Sequence, residues 1–269
     1  MDYVVPARLM DELTASGAKK AHLEARILVM KGFLSGVLLA YATALAFKVS
    51  DGFAPGASAL VAGLLFPVGF AMIVLLGMEL VTGNFALLPI ALLRGRITPR
   101  DLLRNWGWVF LGNLLGSLFV ALLLAVALTE GFLQPSGPLG ARLIAVAQSK
   151  THAYAHAGAR GWLTAFTKGL LCNWMVAMGS VLGYSSQSTS GKIAAIWLPI
   201  TTFFALALEH SVVNLFVIPS AMLLGADITL REWLWWNQLP VILGNILGGA
   251  LLTGALLHFI HPRPEAVQS

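Results

Sequence analysis

Long apolar segments alternate with short polar segments along almost the whole chain. The apolar segments cover approximately residues 27–47, 58–92, 105–128, 162–183, 193–224 and 239–260. A helix rises about 1.5 Å per residue, so about 20 apolar residues cross the hydrocarbon core of a bilayer. The pattern therefore predicts an all-α integral membrane protein with six transmembrane helices.

The second and fifth apolar segments contain ionisable residues near their centres. Asn84 follows Glu79 by five positions in the second segment, and Asn214 follows Glu209 by the same spacing in the fifth, 130 positions later. A charge at mid-bilayer costs about 2.5–3.5 kcal/mol on translocon scales, which makes such residues candidates for a functional site. The second segment is also too long for one straight crossing, and its Thr-Gly-Asn sequence at 82–84 is typical of a turn. We therefore expect spans two and five to be broken, with these four residues orienting the breaks.

The two halves of the chain carry the same motifs. The sequence Leu-Gly-Asn occurs at 111–113 in the third segment and again at 243–245 in the sixth. Each half contains three spans, an odd number, so the second half must be inserted upside down relative to the first. The sequence thus predicts two inverted three-helix repeats, residues 27–128 and 162–261, with a transport site between the two broken helices.

The segments outside the repeats are more polar. Residues 1–26 mix apolar and charged side chains, which predicts an amphipathic helix on the membrane surface or capping the assembly. Residues 129–161 are predicted to form the longest loop and 262–269 a tail, so the channel domain is 27–261. Eleven Lys and Arg residues fall on the side of the N-terminus and five on the other side. The positive-inside rule then places both termini in the cytoplasm, as expected in a cytoplasmic (inner) membrane.

The composition excludes several other classes of protein. Hydrophobic residues make up 58% of the chain and charged residues 11%, against about 25% charged residues in an average soluble domain. The net charge of +5 follows the membrane topology and is not a signal for nucleic acid. Cys172 is the only cysteine, and His152 and His156 have a metal-like spacing without acidic or thiol partners. We therefore expect no disulfide, bound metal or cofactor.

These motifs resemble those of a known family, the formate/nitrite transporters. The resemblance is carried by Glu79 to Asn84 in span two, Lys168 to Trp174 in span four, Glu209 to Asn214 in span five and the two Leu-Gly-Asn sequences. It implies a homopentamer of aquaporin-like subunits that conduct small monovalent anions. The chain has no Asn-Pro-Ala motif, which argues against a water or glycerol channel.

The resemblance also implies which residues form the pore. A central histidine matches His210, a threonine facing it matches Thr82, and an asparagine matches Asn173. The vestibule lysine matches Lys150 or Lys168, and the sequence leaves both open. Two apolar constrictions are implied, one towards the periplasm and one towards the cytoplasm, formed respectively by Phe66 with Phe203 and by Phe70 with Leu80.

The transport of an anion would require these side chains for a physical reason. An intact anion is costly to place between dry Phe and Leu side chains, and the usual solution is neutralisation. A lysine attracts the anion to the mouth, and a histidine, with an ordinary pKa of about 6.5, can lend a proton so that the conjugate acid crosses. The expected partners are therefore formate or nitrite, protons, membrane lipid and further copies of the chain in a homopentamer.

Two kinds of alternative stay open at this point. Within the family, the sequence does not decide between formate, nitrite, hydrosulfide and other small monocarboxylates, or between a passive channel and proton symport. Outside it, the alternative is an intramembrane enzyme with Glu209 and His210 as acid and base beside Ser211. Adjacent residues on a regular helix do not face one another, which argues against that enzyme.

Overall fold

The computed structural model describes residues 2–262, and they are helical apart from short connections. The predicted tail, 262–269, lies outside them except for its first residue. The first half contains α1 (Pro6–Ala21), α2 (Ala25–Val49), α3 (Pro55–Leu65), α4 (Pro67–Leu75), α5 (Val81–Leu93) and α6 (Pro99–Leu128). The second half contains α7 (Gly137–Ala157), α8 (Ala159–Leu182), α9 (Thr189–Ala205), α10 (Ser211–Leu223), α11 (Leu230–Glu232), α12 (Leu239–Gly249) and α13 (Leu256–Ile260). Two π-helical stretches join the last three helices, Trp233–Gln238 and Ala250–Ala255.

Five helices of the described chain are long and apolar enough to cross a membrane. They are Ala25–Val49, Pro55–Leu75, Pro99–Leu128, Ala159–Leu182 and Leu230–Ile260. The apolar helices α5 and α10 are shorter, with 13 residues each. The second apolar segment of the sequence corresponds to α3, α4 and α5, and the fifth to α9 and α10. Each of these segments contains a continuous run of five non-helical residues, at 76–80 and at 206–210.

The predicted loop at 129–161 is wrong, because most of this stretch is α7. The buried face of the helix recurs every three or four residues and consists of Leu139, Gly140, Leu143, Ala147, Thr151 and Tyr154. Gly158 has a positive φ of 58°, a conformation that glycine adopts without strain, and it turns the chain directly into α8. Lysine, histidine and glycine residues between the apolar positions conceal this stripe in the sequence.

Helix α1 carries the amphipathic pattern of the N-terminal segment, and its apolar face packs against α5. A Cβ atom on Gly17 would lie 2.3 Å from the carbonyl oxygen of Leu87, so the two helices approach backbone to backbone. The Asp2 carboxylate accepts hydrogen bonds from the N–H groups of Gln187 and Ser188, at 2.8 and 2.6 Å. These bonds attach the N-terminal residues to the turn before α9.

Two close helix pairs support the two halves. Helix α2 packs on α6, and α8 packs on α12. A Cβ atom on Gly116 would lie 2.0 Å from the carbonyl oxygen of Phe33, and one on Gly248 would lie 2.2 Å from that of Leu170. Both glycines belong to Gly-x-x-x-Gly sequences, which allow helix backbones to approach closely. The pairs hold α6 and α12 beside the two non-helical segments.

Candidate functional site

The two non-helical segments have the same backbone conformation. A residue with positive φ follows the end of each preceding helix, Gly77 at 63° and Ala207 at 50°. Met78 and Leu208 then each donate to a carbonyl group five residues earlier, at 2.9 and 3.1 Å. These are Schellman-type helix ends. Gly77 adopts a positive φ readily, whereas Ala207 adopts it despite its Cβ atom.

One asparagine holds each segment in place. The side chain of Asn113, on α6, accepts from the N–H of Val81 at 3.0 Å and donates to the carbonyl of Glu79 at 3.0 Å. Asn245, on α12, makes the same two contacts with the equivalent backbone groups of the second segment, at 2.9 and 3.0 Å. Each asparagine thereby satisfies backbone groups that an interrupted helix leaves unpaired.

Glu79 lies in a buried polar cluster beside the first segment. Lys20, from α1, donates to Glu79 Oε1 at 2.8 Å, and Asn84 donates to Glu79 Oε2 at 2.8 Å. Asn105 accepts from the Asn84 amide at 2.9 Å and donates to the Lys20 carbonyl at 3.0 Å. The carboxylate is thus paired with a cation and fixed by an amide, as the burial of a charge requires.

The second segment has the equivalent cluster around Glu209. Lys150, from α7, donates to Glu209 Oε2 at 2.7 Å, and Asn214 donates to the same oxygen at 2.8 Å. Asn237 accepts from Asn214 at 2.8 Å and donates to the Lys150 carbonyl at 3.1 Å. The Tyr154 hydroxyl donates to Glu209 Oε1 at 2.7 Å. The four residues expected to orient the breaks all lie in these two clusters.

His210 and Thr82 meet between the two segments, and both side chains are buried. His210 Nε2 lies 3.1 Å from Thr82 Oγ1. His210 Nδ1 accepts from the N–H of Val213 at 3.2 Å, so this side chain caps the N-terminus of α10. A ring nitrogen that accepts a hydrogen bond carries no proton, which puts the ring proton on Nε2, from where it is donated to Thr82.

Asn173 lies behind Thr82 and holds its backbone. The Asn173 Nδ2 donates to the carbonyl oxygens of Thr82, at 3.1 Å, and of Asn245, at 2.7 Å. The side chain is fully buried and lines neither of the two cavities at the site. Asn173 therefore acts on the site through the position of Thr82.

The larger of these cavities, about 440 Å³, lies beside α7 and reaches the His210 ring. Its wall combines basic and aromatic side chains, among them Arg142, Lys150, Phe47 and Phe204. Phe203 stacks on His210 with ring centroids 5.5 Å apart, and Phe66 contacts Phe203 edge-on at 5.6 Å. Aromatic rings therefore surround the approach to the histidine from this side.

The smaller cavity, about 80 Å³, lies at the first non-helical segment. Its lining includes Lys20 together with Phe70, Leu80 and Gly83. His210 lines the larger cavity, and Gly83, the neighbour of Thr82, lines the smaller one, so the His210–Thr82 pair separates the two. The residues implied for the constrictions are divided in the same way, with Phe66 and Phe203 near one cavity and Phe70 and Leu80 along the other.

The two candidate vestibule lysines have different surroundings. Lys150 lines the larger cavity, but its ammonium group is paired with Glu209. Lys168 is half-buried and lines neither cavity. It reaches the site only through its carbonyl oxygen, which accepts from the N–H of Glu209 at 3.4 Å.

Three residues of the site were not predicted from the sequence: Lys20, Arg142 and Tyr154. Lys20 precedes Lys150 by 130 positions, the offset of the two Glu–Asn motifs, so the repeat could have identified it. Arg142 and Tyr154 lie on α7, where a loop was expected, and no motif marks them.

His152 and His156 lie on α7 outside the site. His152 Nε2 is 3.8 Å from Glu232 Oε1, a contact that is ionic only when the histidine is protonated. Within residues 2–262, no group of three or more His, Cys, Asp and Glu side chains is arranged to hold a metal ion.

Comparison with known proteins reveals relatives over nearly the whole chain. The family profile described as formate/nitrite transporter matches residues 7–259. A probable formate transporter from Methanothermobacter thermautotrophicus is 38% identical over 247 residues, which cover 87% of this chain and 88% of that protein. A solved FNT family ion channel aligns with a TM-score of 0.80 and 26% identity, over 94% of this chain and 99% of that chain. A pentameric formate channel with formate bound aligns with a TM-score of 0.72 and 26% identity, over 88% of this chain and 97% of that chain.

The matched family consists of transporters and channels, which rules against the alternative of an intramembrane enzyme. The match also covers both non-helical segments and the clusters around them. This all-helical membrane protein therefore belongs to the formate/nitrite transporter family.

Proposed function

We propose that this protein is a channel for small monovalent weak-acid anions, with formate as its substrate and with one pore in each subunit of a homopentamer. The observation that carries the proposal is the buried 3.1 Å contact between His210 and Thr82, which lies between two cavities. A relative named as a probable formate transporter supports the substrate, and a pentameric channel with formate bound supports both substrate and assembly. Nitrite has the same charge and a similar shape and is expected to compete.

The channel domain, residues 27–261, contains six spans in two inverted halves, and spans two and five are broken at 76–80 and 206–210. The clusters around Glu79 and Glu209 support this arrangement, because equivalent contacts recur 130 positions apart. The contacts of Lys20 and Lys150 extend the halves from 27–128 and 162–261 to include α1 and α7. A pseudo-two-fold axis in the membrane plane then passes close to the His210–Thr82 contact.

The anion enters the larger cavity, which reaches the His210 ring beside Phe203 and Phe66, and is protonated there. It leaves past Phe70 and Leu80 through the smaller cavity. The apolar side chains exclude water, so an intact anion at the constrictions would pay a large desolvation cost. The conjugate acid pays much less, which favours protonation before the crossing.

His210 supplies this proton in its doubly protonated form. The Nε2 proton is transferred to a carboxylate oxygen of formate, which gives formic acid and a neutral ring. The resting ring is unprotonated at Nδ1, so a proton is first taken up there and the hydrogen bond from the N–H of Val213 breaks. After the transfer the ring keeps its Nδ1 proton, and Nε2 must take up a proton again before the next transfer. An arriving anion compensates the charged ring, since an opposite charge within about 4–6 Å favours the charged form.

The protein resides in the cytoplasmic membrane with both termini in the cytoplasm and lipid around the pentamer. The eleven cations on the side of the N-terminus, against five on the other side, support this orientation. It places the larger cavity on the periplasmic side and the smaller cavity, with α1, on the cytoplasmic side. The N-terminal segment 1–26 then caps the cytoplasmic end of the pore.

Flux into liposomes that contain only this protein tests the proposal. Formate uptake should be saturable, and nitrite should inhibit it at concentrations similar to those at which formate saturates. Protein-free liposomes measure the direct diffusion of formic acid through lipid. Formate uptake no faster than in protein-free liposomes would contradict the proposal, and rapid hydrosulfide uptake without formate uptake would favour the hydrosulfide alternative.

A further inference from the structure

Lys150, the candidate vestibule lysine that lines the larger cavity, does not by itself give that cavity a net positive charge. Lys150 Nζ lies 2.7 Å from Glu209 Oε2, so a carboxylate already compensates its charge. The Glu209 side chain is buried and receives three further hydrogen bonds, from Tyr154, Asn214 and Asn237. The pair is therefore a fixed part of the protein, and it contributes little net field to an approaching anion.

Arg142 is the other cationic side chain on the cavity wall, and it has no acidic partner among the residues that line the cavity. Its Nη1 donates to the Phe47 carbonyl at 3.1 Å and its Nη2 to Ser58 Oγ at 3.2 Å. The guanidinium carbon lies 5.1 Å from the centre of the Phe47 ring. A guanidinium group has five N–H donors, so these two bonds hold the group in place and leave donors for a ligand.

Arg142 lies at the mouth of the cavity and Lys150 lies deeper. The residues that hold Arg142 are at the end of α2 and the start of α3, whereas Lys150 contacts the second non-helical segment. Arg142 and Lys150 are eight residues apart on α7, about 12 Å along the helix. An anion that enters therefore meets Arg142 first.

We propose that Arg142 is an entry site that binds planar carboxylate-type anions through two parallel N–H···O bonds before they reach His210. The inference rests on the proposed function and adds a residue that selects the substrate. A guanidinium group matches the two oxygens of a carboxylate, whereas an ammonium group acts as a point charge. Hydrosulfide has a single acceptor atom and gains only the charge attraction. Arg142 thus favours formate and nitrite over hydrosulfide.

The test measures the concentration dependence of formate and hydrosulfide uptake in liposomes for two variants and a control. Arg142→Gln should raise the half-saturation concentration for formate about tenfold, as expected from the loss of a charge-assisted pair, and change the rate at saturation by less than about twofold. Arg142→Lys should keep the dependence of uptake on ionic strength, because the charge is kept. It should lower the formate preference over hydrosulfide at least about threefold.

Arg160→Gln is the matched control. It removes the same charge from an exposed residue in the first turn of α8 that does not line the cavity, and its formate uptake should match that of the parent. If Arg142→Gln also matches the parent, the entry site is wrong while the channel function stands. If Arg142→Gln assembles poorly, Arg142→Lys decides, and a parental formate preference in that variant would overturn the two-bond contact. Absence of formate uptake by the parent would instead overturn the proposed function.

Discussion

At the scale of single residues, His210 combines two roles that substitution can separate. Its Nδ1 accepts from the N–H of Val213 and so caps α10, while its Nε2 faces Thr82. Asparagine is also a favourable N-cap residue, but it cannot carry a proton between pH 5 and 8. His210→Asn therefore keeps the structural role and removes the proposed proton-lending role, whereas His210→Ala removes both.

We expect His210→Asn to fold and assemble like the parent and to lose the rise in formate uptake as the pH falls from about 8 to 5. The parent should show this rise, because acid increases the fraction of doubly protonated ring. His210→Ala should in addition lose about 1 kcal/mol of stability with the cap. The measurements are uptake against pH, corrected with protein-free liposomes, and thermal unfolding in detergent. A pH profile for His210→Asn that overlays the parent's would show that the histidine lends no proton.

The sequence predicted some residues of the site and not others, for a physical reason. Glu79, Glu209 and His210 stand out because ionisable side chains are costly inside an apolar segment. Arg142 and Tyr154 lie in a polar stretch, where arginine and tyrosine are unremarkable, and only the three-dimensional position of α7 gives them a role. The tautomer of His210 also depends on a backbone contact that no residue pattern encodes.

At the scale of elements, α1 and α7 are equivalent supports of the two non-helical segments. Each contributes a lysine to a buried glutamate, Lys20 to Glu79 and Lys150 to Glu209, at 2.8 and 2.7 Å. The sequence predicted helical character for the first of these elements and a loop for the second. The difference arises because α7 contains eight residues that are alanine or glycine, which weaken its apolar periodicity. The spacing of 130 positions between Lys20 and Lys150 therefore indicates the equivalence of α1 and α7 more clearly than hydropathy does.

We expect Lys150→Ala to destabilise the protein strongly, because it leaves the buried Glu209 carboxylate without its cation, at a cost of about 3–5 kcal/mol. The double substitution Lys150→Ala with Glu209→Gln removes the uncompensated charge and should recover much of that loss. Lys168→Ala is the matched control, since the ammonium group of Lys168 does not contact Glu209. The Tm of each purified variant in detergent provides the measurement. Equal Tm values for Lys150→Ala and Lys168→Ala would show that the buried ion pair does not support the fold.

At the scale of the whole molecule, both cavities and the His210–Thr82 contact are formed by one chain. The proposed path from one cavity to the other therefore lies within a single subunit. The assembly itself is not encoded in any single motif. Apolar side chains that face lipid and those that face a neighbouring subunit have the same composition, so the sequence indicated a pentamer only through family resemblance.

The proposed pore within each subunit leads to a quantitative prediction for mixed assemblies. Co-expression of the parent with His210→Phe, whose larger ring should block the path beside Phe203, gives pentamers with a known average fraction of blocked subunits. If the pores are independent, formate uptake per pentamer should fall in direct proportion to the blocked fraction. A population with half of its subunits blocked then keeps about half of the parental rate. A single pore shared by five subunits would require all of them to be intact, which leaves about one thirty-second of the rate in the same population.

Differently tagged subunits allow the fraction to be measured in the purified pentamers, and a mixture of separately purified parental and blocked pentamers serves as the control. A steep loss in the co-assembled sample, with a proportional loss in the control mixture, would place the conducting path on the central axis.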